Sequence, residues 1–374
     1  MRRVVVLGAG FGGLELATLL SEWLAGEVEV TLIDRNDAFI FGFEKFEVML
    51  GRKAVAELES PYRAISKPGV TFKKEVITSI DAAAKRVETN KGSYDADILV
   101  IALGADYDHA ATPGFAEGGH EFYSVEGAGR LRDVLPSIPG GNVLISVLGL
   151  PFKCPPAPYE GALLLHDYFM EAGVRDQIQI RVLTPELRPV PVSDEVSGAV
   201  SRSLEERGIV LETERRVVRI DPERRRAETE DGEHIPFDLF CGIPVHRAPR
   251  VVEEAGLTVD GWIPVDQRNL ATCFDDVYAL GDVASAPVPR AGVFAERSAL
   301  AVAEDIRAKL EGGTPAPFDG AGICYLEFGG GLVARVDANF LGGRDPVGIF
   351  HAPSLEGARA KAEFASSRRR RWFG

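Results

Sequence analysis

Cys154 stands among four prolines, Pro151, Pro155, Pro156 and Pro158, inside the stretch VLISVLGLPFKCPPAPYEGALLLHDY that runs from Val143 to Tyr168. A turn between an apolar strand and an amphipathic helix is where a dinucleotide-binding unit holds a pyrophosphate. It does so with glycines that let backbone approach and with free N–H groups at the helix N-terminus. Proline has no N–H to donate. This turn has therefore lost its pyrophosphate site and presents a thiol instead, at the place where a nicotinamide would have reached a flavin.

A second chemistry-bearing turn keeps what the first has lost. The apolar run Arg3 to Leu7 leads into Gly8-Ala9-Gly10-Phe11-Gly12-Gly13, and Leu14, Leu16, Ala17, Leu20, Trp23 and Leu24 follow at helical spacing. The next strand, Val28 to Ile33, ends in Asp34. Strand, glycine turn, helix and an acid after the following strand make a dinucleotide fingerprint. Gly8 permits the tight turn, Gly10 lets backbone approach the pyrophosphate, Gly13 lets the helix pack on the sheet, and Asp34 accepts from ribose hydroxyls.

Two further strand ends favour a flavin over a nicotinamide in this module. Asp97 to Leu103 is a buried strand that ends at Ala102 and Gly104. Asp276 to Val283 repeats the design with Gly281 and Asp282. An aspartate there reaches a ribityl hydroxyl, and the helix that follows aims its N-terminal dipole at the pyrimidine edge, where charge develops on reduction. The plain alternative is that Gly-Asp is a common turn.

The elements that must position these groups define an α/β fold. It has two Rossmann-like dinucleotide-binding domains, the FAD domain discontinuous, and a small C-terminal region. The expected division is 1–110 for the first part of the FAD domain and 111–238 for the second Rossmann-like domain carrying Cys154. The FAD domain resumes over 239–318, and 319–374 carries Cys324. That last region is too short and glycine-rich for its own core and should lie across the flavin face. Pro139-Gly140-Gly141 marks a turn before the central strand, and helices are expected over Val196 to Arg207 and Ala299 to Leu310.

Composition narrows the class. A 374-residue chain with 45% hydrophobic and 26% charged residues suits a folded globular protein of two or three domains. A net charge of -14 argues against a nucleic-acid surface. No apolar run reaches the roughly 18 residues of a membrane span, and a first strand beginning at Arg3 leaves no room for a secretory signal, so a cytoplasmic location is expected. Cys154, Cys241, Cys273 and Cys324 form no CxxC pair, and no metal site is expected. Cys241 and Cys273 sit beside apolar strands and read as inert core thiols.

The stretches GAGFGG with Asp34, ALGA at 102 to 105 and ALGDVA at 279 to 284 resemble the two-dinucleotide-binding-domain flavoproteins of the pyridine nucleotide-disulfide oxidoreductase superfamily, over the whole chain. Within it, PFKCPPAPYE at 151 to 160, PRAGVFAE at 289 to 296, GICYLEFGGG at 322 to 331 and the closing RRRRWFG are similar to sulfide:quinone oxidoreductases and to the flavoprotein subunit of flavocytochrome c sulfide dehydrogenase. The resemblance implies a disulfide between Cys154 and Cys324 beside FAD, with the Val76 backbone meeting the adenine ring from a short strand, Lys74 to Ile77. It implies that sulfide, or another small sulfur species, opens that disulfide, that Cys154 takes the sulfane sulfur, and that two electrons pass through FAD to a quinone. Glycines near Cys324 and Phe340 would shape the quinone pocket. A cytochrome acceptor is the variant that the flavocytochrome suggests.

Three departures qualify this. No cysteine accompanies Phe39 to Phe43, so FAD is expected to be non-covalent. No cysteine precedes Cys154, whereas many sulfide:quinone enzymes carry a third. After Gln179 to Leu183 comes Thr184-Pro185 rather than a ribose-binding acid, and Glu186 lies two residues late as a candidate solvated charge. NADH reduction, as in type II NAD(P)H:quinone dehydrogenases, is accordingly the alternative.

Glu160 and Glu296 are candidate proton carriers, and each is equally a helix-turn charge. The tail has two readings. Arg368 to Arg371 are either a solvated helix end or a contact with anionic headgroups, with Trp372 and Phe373 in the interface of the inner membrane face. Self-association is left open.

Overall fold

The computed structural model describes residues 1–374. Its centre is the strand Arg2–Leu7, in which Val4 and Val6 face one apolar cluster and Val5 and Leu7 face another. A strand buried on both sides needs cover on both sides, which parallel sheets obtain from their crossover elements. The first sheet is all parallel, in the order Val277–Ala279, Ile98–Ile101, Arg2–Leu7, Val28–Asp34 and Val70–Lys74. Residues from both ends of the chain thus build one sheet, and the order reverses beside Arg2–Leu7, the kind of crevice in which open α/β sheets hold ligands.

A second parallel sheet runs Ile209–Glu212, Ile178–Leu183, Gly141–Val147 and Leu239–Ile243. The last strand corrects the expected boundary at 238, because its apolar run pairs in register with Val143 to Val147 and extends the second sheet to Ile243. An antiparallel pair, Asp106–Asp108 with Val245–Arg247, joins the modules where the chain crosses between them.

Two helices differ slightly from expectation. One spans Asp194–Glu206, capped by the Ser193 hydroxyl accepting from Val196 N. The other spans Gly292–Glu311 and starts seven residues before the expected Ala299. Its first turn lies in PRAGVFAE, whose Gly292 sits against the Phe11 ring.

The C-terminal region is a three-stranded antiparallel sheet, Ala321–Glu327, Val333–Asn339 and Val347–Ser354, followed by the helix Leu355–Phe373. Its apolar side chains join both larger clusters: Leu326, Phe328, Ala334 and Val336 one, Phe364, Ala365 and Trp372 the other. It therefore borrows its core from both modules. No helix is long and apolar enough to cross a membrane.

Cys241 is fully buried in the second sheet, as expected, and Cys273 is not. The strand after Cys273 begins only at Val277, which leaves that thiol exposed in the preceding loop.

Candidate active site

One cavity of about 1790 Å³ runs between the modules and is lined by eleven of the thirteen residues singled out as candidates, all except Gly13 and Glu296. At its first end lies the glycine turn. Gly8 has φ +100°, and a Cβ there would stand 2.4 Å from the Ala102 carbonyl oxygen; one on Gly13 would stand 1.9 Å from the Gly8 oxygen. Both glycines are required by the protein's own backbone. Gly10 is different, since a Cβ there would meet nothing within 4 Å and would project into open cavity. Space reserved in front of a glycine at a helix start is what a pyrophosphate needs, and the residues fit FAD on that test.

Asp34 is fixed beside the turn. One oxygen accepts from Ala9 N at 2.8 Å, and the other accepts from Asn36 N at 2.8 Å and Asn36 Nδ2 at 2.9 Å. The Val76 expectation needs correction. Val76 lies between the strands Val70–Lys74 and Ile77–Asp81 rather than in a strand of its own. Its N–H donates to Asn90 Oδ1 and its carbonyl accepts from Asn90 N, both at 2.9 Å. With its main chain engaged, its half-exposed side chain is what Val76 offers the cavity.

The second turn confirms its poverty in donors. The helix Ala157–Glu171 starts after Pro156 with no side-chain cap. Ala157 N donates to the Cys154 carbonyl, and Tyr159 N and Glu160 N both donate to the Pro156 carbonyl. Pro155, Pro156 and Pro158 have none to give. Cys154 itself adopts φ +52°, held by its N–H donating to the Arg290 carbonyl at 2.8 Å.

Cys154 and Cys324 line the cavity from different modules, and both are free thiols in the structure. Burial pushes Cys324 up to about 12, with the nearby Glu160 carboxylate adding to the effect. Burial, then Glu160 and then Cys324 push Cys154 well above its ordinary value, while Lys361 opposes them. The two thiols and Glu160 therefore lie close together on the cavity wall.

Glu160 is 3% exposed and its Oε1 accepts from Glu327 N at 2.9 Å. Burial raises its pKa to about 7, against the pull of Lys361. Lys361, from the C-terminal helix, bonds Glu327 Oε1 at 2.7 Å.

Glu296 is not a cavity group. Arg368 grips both its oxygens at 3.0 and 3.2 Å, which makes it an anchor for the tail and removes it from the candidate proton carriers.

The rest of the tail is also more engaged than either reading expects. Arg369 pairs with Glu44, and Arg371 bonds Glu15 at 3.0 Å and Glu22 at 3.1 Å. Trp372 is 0% exposed, donates Nε1–H to Glu15 at 2.7 Å and stacks on Phe41 at 6.0 Å. Among the four arginines only the Arg370–Glu363 pair lies on the surface. An acidic chain supplies the partners, so the tail closes onto the first module.

Sequence reasoning passed over the cations beside the thiols. Lys153 and Arg290 lie within the quoted motifs, and Lys45 is an isolated residue without a motif; all three line the cavity near Asp282. It also took Glu186 for a solvated loop charge. Its Oε2 is buried without a partner at the cavity wall, and burial raises its pKa to about 7.

Two nucleotide-type parallel sheets with a thiol pair in the crevice between them define an oxidoreductase of the two-domain dinucleotide-binding class. The sequence pattern of that class, described as pyridine nucleotide-disulphide oxidoreductase, matches residues 2–148 and 162–303, and the chain belongs to that family. It is 27% identical to a type II NADH:quinone oxidoreductase of Staphylococcus haemolyticus, over 96% of this chain and 92% of that one. In structure it is similar to the sulfide:quinone oxidoreductase of Aquifex aeolicus, with a TM-score of 0.88 and 23% identity over 98% of this chain and 90% of that one. It is also similar to NDH2 of Plasmodium falciparum in complex with NADH, with a TM-score of 0.76 and 12% identity over 100% of this chain and 96% of that one.

Proposed function

We propose that this chain is a flavin-dependent oxidoreductase that takes two electrons from sulfide, or another small sulfur nucleophile, through Cys154 and Cys324 and passes them to a quinone. The observation that carries the reading is that both thiols face the cavity that holds Gly10 and Asp282, while the helix start after the second turn has no free amide for a pyrophosphate: Pro155, Pro156 and Pro158 carry none, and those of Ala157, Tyr159 and Glu160 are engaged.

Gly8, Gly10 and Asp34 would hold the ADP half of a non-covalent FAD, with Val76 at its adenine and Ala102, Gly104, Gly281 and Asp282 along its ribityl side. Bound FAD supplies a two-electron acceptor between the sulfur donor and the quinone. In the oxidised enzyme Cys154 and Cys324 are joined. Hydrosulfide attacks the Cys154 sulfur, a new S–S bond forms there, the old one breaks, and Cys324 leaves as a thiolate. The sulfide sulfur loses two electrons and the disulfide gains them; a second hydrosulfide then takes the outer sulfur away as hydrogen disulfide, freeing the Cys154 thiol to close again on Cys324 as the two electrons pass on. Glu160, poised near neutrality, accepts the proton that accompanies the new persulfide. The apolar wall of Phe294, Ile323, Val336 and Phe340 suits a quinone ring, and the names of the sequence relatives and of the Aquifex structure favour that acceptor.

A second reading has NADH as the reductant. The NADH:quinone activity for which the staphylococcal relatives are named favours it, and so does the unpartnered Glu186 carboxylate just past the strand Ile178–Leu183. The proline turn opposes it.

Counting thiols tests the central element. The oxidised, denatured protein should show two thiols, those of Cys241 and Cys273, and four after reduction. Four in both states would overturn the redox pair.

A further inference from the structure

The loop that carries Cys154 is stitched to the loop that carries Asp282, and the stitches bring cations with them. Lys153 bridges to Arg290 in parallel fashion, next to the bond from Cys154 N to the Arg290 carbonyl. Lys153 Nζ donates to the Ala105 carbonyl at 3.1 Å and lies 4.4 Å from the centre of the Tyr107 ring. Arg290 donates from Nε to the Asp282 carbonyl at 3.0 Å and stacks 3.6 Å over Trp262. Lys45 donates to the Tyr123 carbonyl, and Tyr123 faces the same cavity.

None of the three cations has a carboxylate partner within salt-bridge distance. The charges of all three reach Asp282, and that of Lys153 also reaches Asp106, which Arg35 already bonds at 3.4 Å. Burial raises Asp282 and the three cations lower it again. Three positive charges around one carboxylate leave an excess of positive charge at the cavity wall, and charge in such a setting calls for an anion. The adjoining helix Gly292–Glu311 adds to the imbalance. Its N-terminus opens into the same wall with no side-chain cap and no acid in its first turn.

The anion that suits this place is one that comes and goes with turnover. When Cys154 and Cys324 close to the disulfide they give up two electrons and two protons. Bound FAD, if it accepted both electrons with one proton, would carry one negative charge for these residues to face, and the other proton would leave to solvent. We propose that Lys153, with Lys45 and Arg290, forms an anion-stabilising cluster around Asp282 that raises the two-electron potential of the bound flavin. The inference rests on the flavin reading above and assigns these residues a role in positioning charge, distinct from the thiol chemistry.

Redox titration of the purified holoprotein tests it. Lys153→Met, which removes the charge and keeps the chain length, should lower the midpoint potential of the bound flavin, by about 30 mV for each tenfold loss in stabilisation of the reduced form. Lys153→Arg should restore the wild-type value. If the methionine variant purifies without flavin, Lys45→Met carries the same expectation. A flavin-replete neutral variant with an unchanged or higher potential would overturn the cluster. A wild type that binds no flavin would overturn the flavin reading itself, so the two failures are distinguishable.

Discussion

The two glycine-to-helix turns of this molecule started from one design and ended in opposite chemistry. At Gly8 to Gly13 the backbone is bare, open space lies in front of Gly10, and Asp34 is held ready by Ala9 N. At Gly149 to Pro158 the same strand-turn-helix frame is filled with prolines, the amides of Cys154 and of the helix start are engaged locally, and Cys154 occupies the crest in a left-handed conformation. A parallel-sheet module thus fixes where a ligand or nucleophile will stand and leaves its chemistry to a few turn residues. The C-terminal segment is fitted to both ends. Trp372 packs edge-on against Phe11 at 5.7 Å beside the first turn, while Cys324 and Lys361 reach the second.

Removing the thiol from the second turn should have the largest effect. Cys154→Ser or Cys324→Ser should abolish rapid bleaching of the flavin by sulfide in stopped-flow spectra, because a hydroxyl can form no disulfide to be opened. Retained bleaching in either variant would erase the contrast between the turns.

The first turn is broken by Gly10→Val, whose branched side chain would fill the space a pyrophosphate needs. The expected result is folded but colourless protein, judged by flavin absorbance per chain. Full yellow occupancy would show that the open space in front of Gly10 is not the cofactor site.

The shared support comes next. Trp372→Ala removes a fully buried indole and leaves Glu15 without one of its donors, at a cost of about 3–5 kcal/mol in denaturant unfolding. Loss of only a few tenths would mean that the tail is not docked on the first module.

The smallest effect sharpens the second turn alone. Burial raises the Glu160 pKa to about 7; the group accepts a proton only when ionised, so sulfide-driven reduction should rise as pH climbs through 7. Glu160→Gln should lower the rate by roughly 10²-fold and flatten that limb. A pH profile identical to the wild type would remove Glu160 from proton transfer.

Local pattern carried the sequence reading where chemistry and backbone coincide. Gly8, Asp34 and the proline turn are legible because a tight turn, a strand end and a missing N–H are properties of consecutive residues. The pairing of Arg368 with Glu296, which withdrew that acid from the site, joins residues 72 positions apart and has no local signature. The same holds for Trp372, whose burial depends on Phe39, Phe41 and Glu15 from the first module. A run of four arginines reads as solvated until the acids that meet it are known. Lys153 and Arg290 were in view inside their motifs, and only the fold shows that they meet at Asp282.

Anaerobic flavin spectra of the purified wild type with sulfide, and separately with NADH, show which reductant delivers electrons to this flavin. Rapid loss of the oxidised flavin band is expected with sulfide and little change with NADH, since the second turn offers a thiol and its helix start has no free amide for a pyrophosphate. Rapid bleaching by NADH together with no response to sulfide would contradict it and would place this chain with the NADH:quinone oxidoreductases.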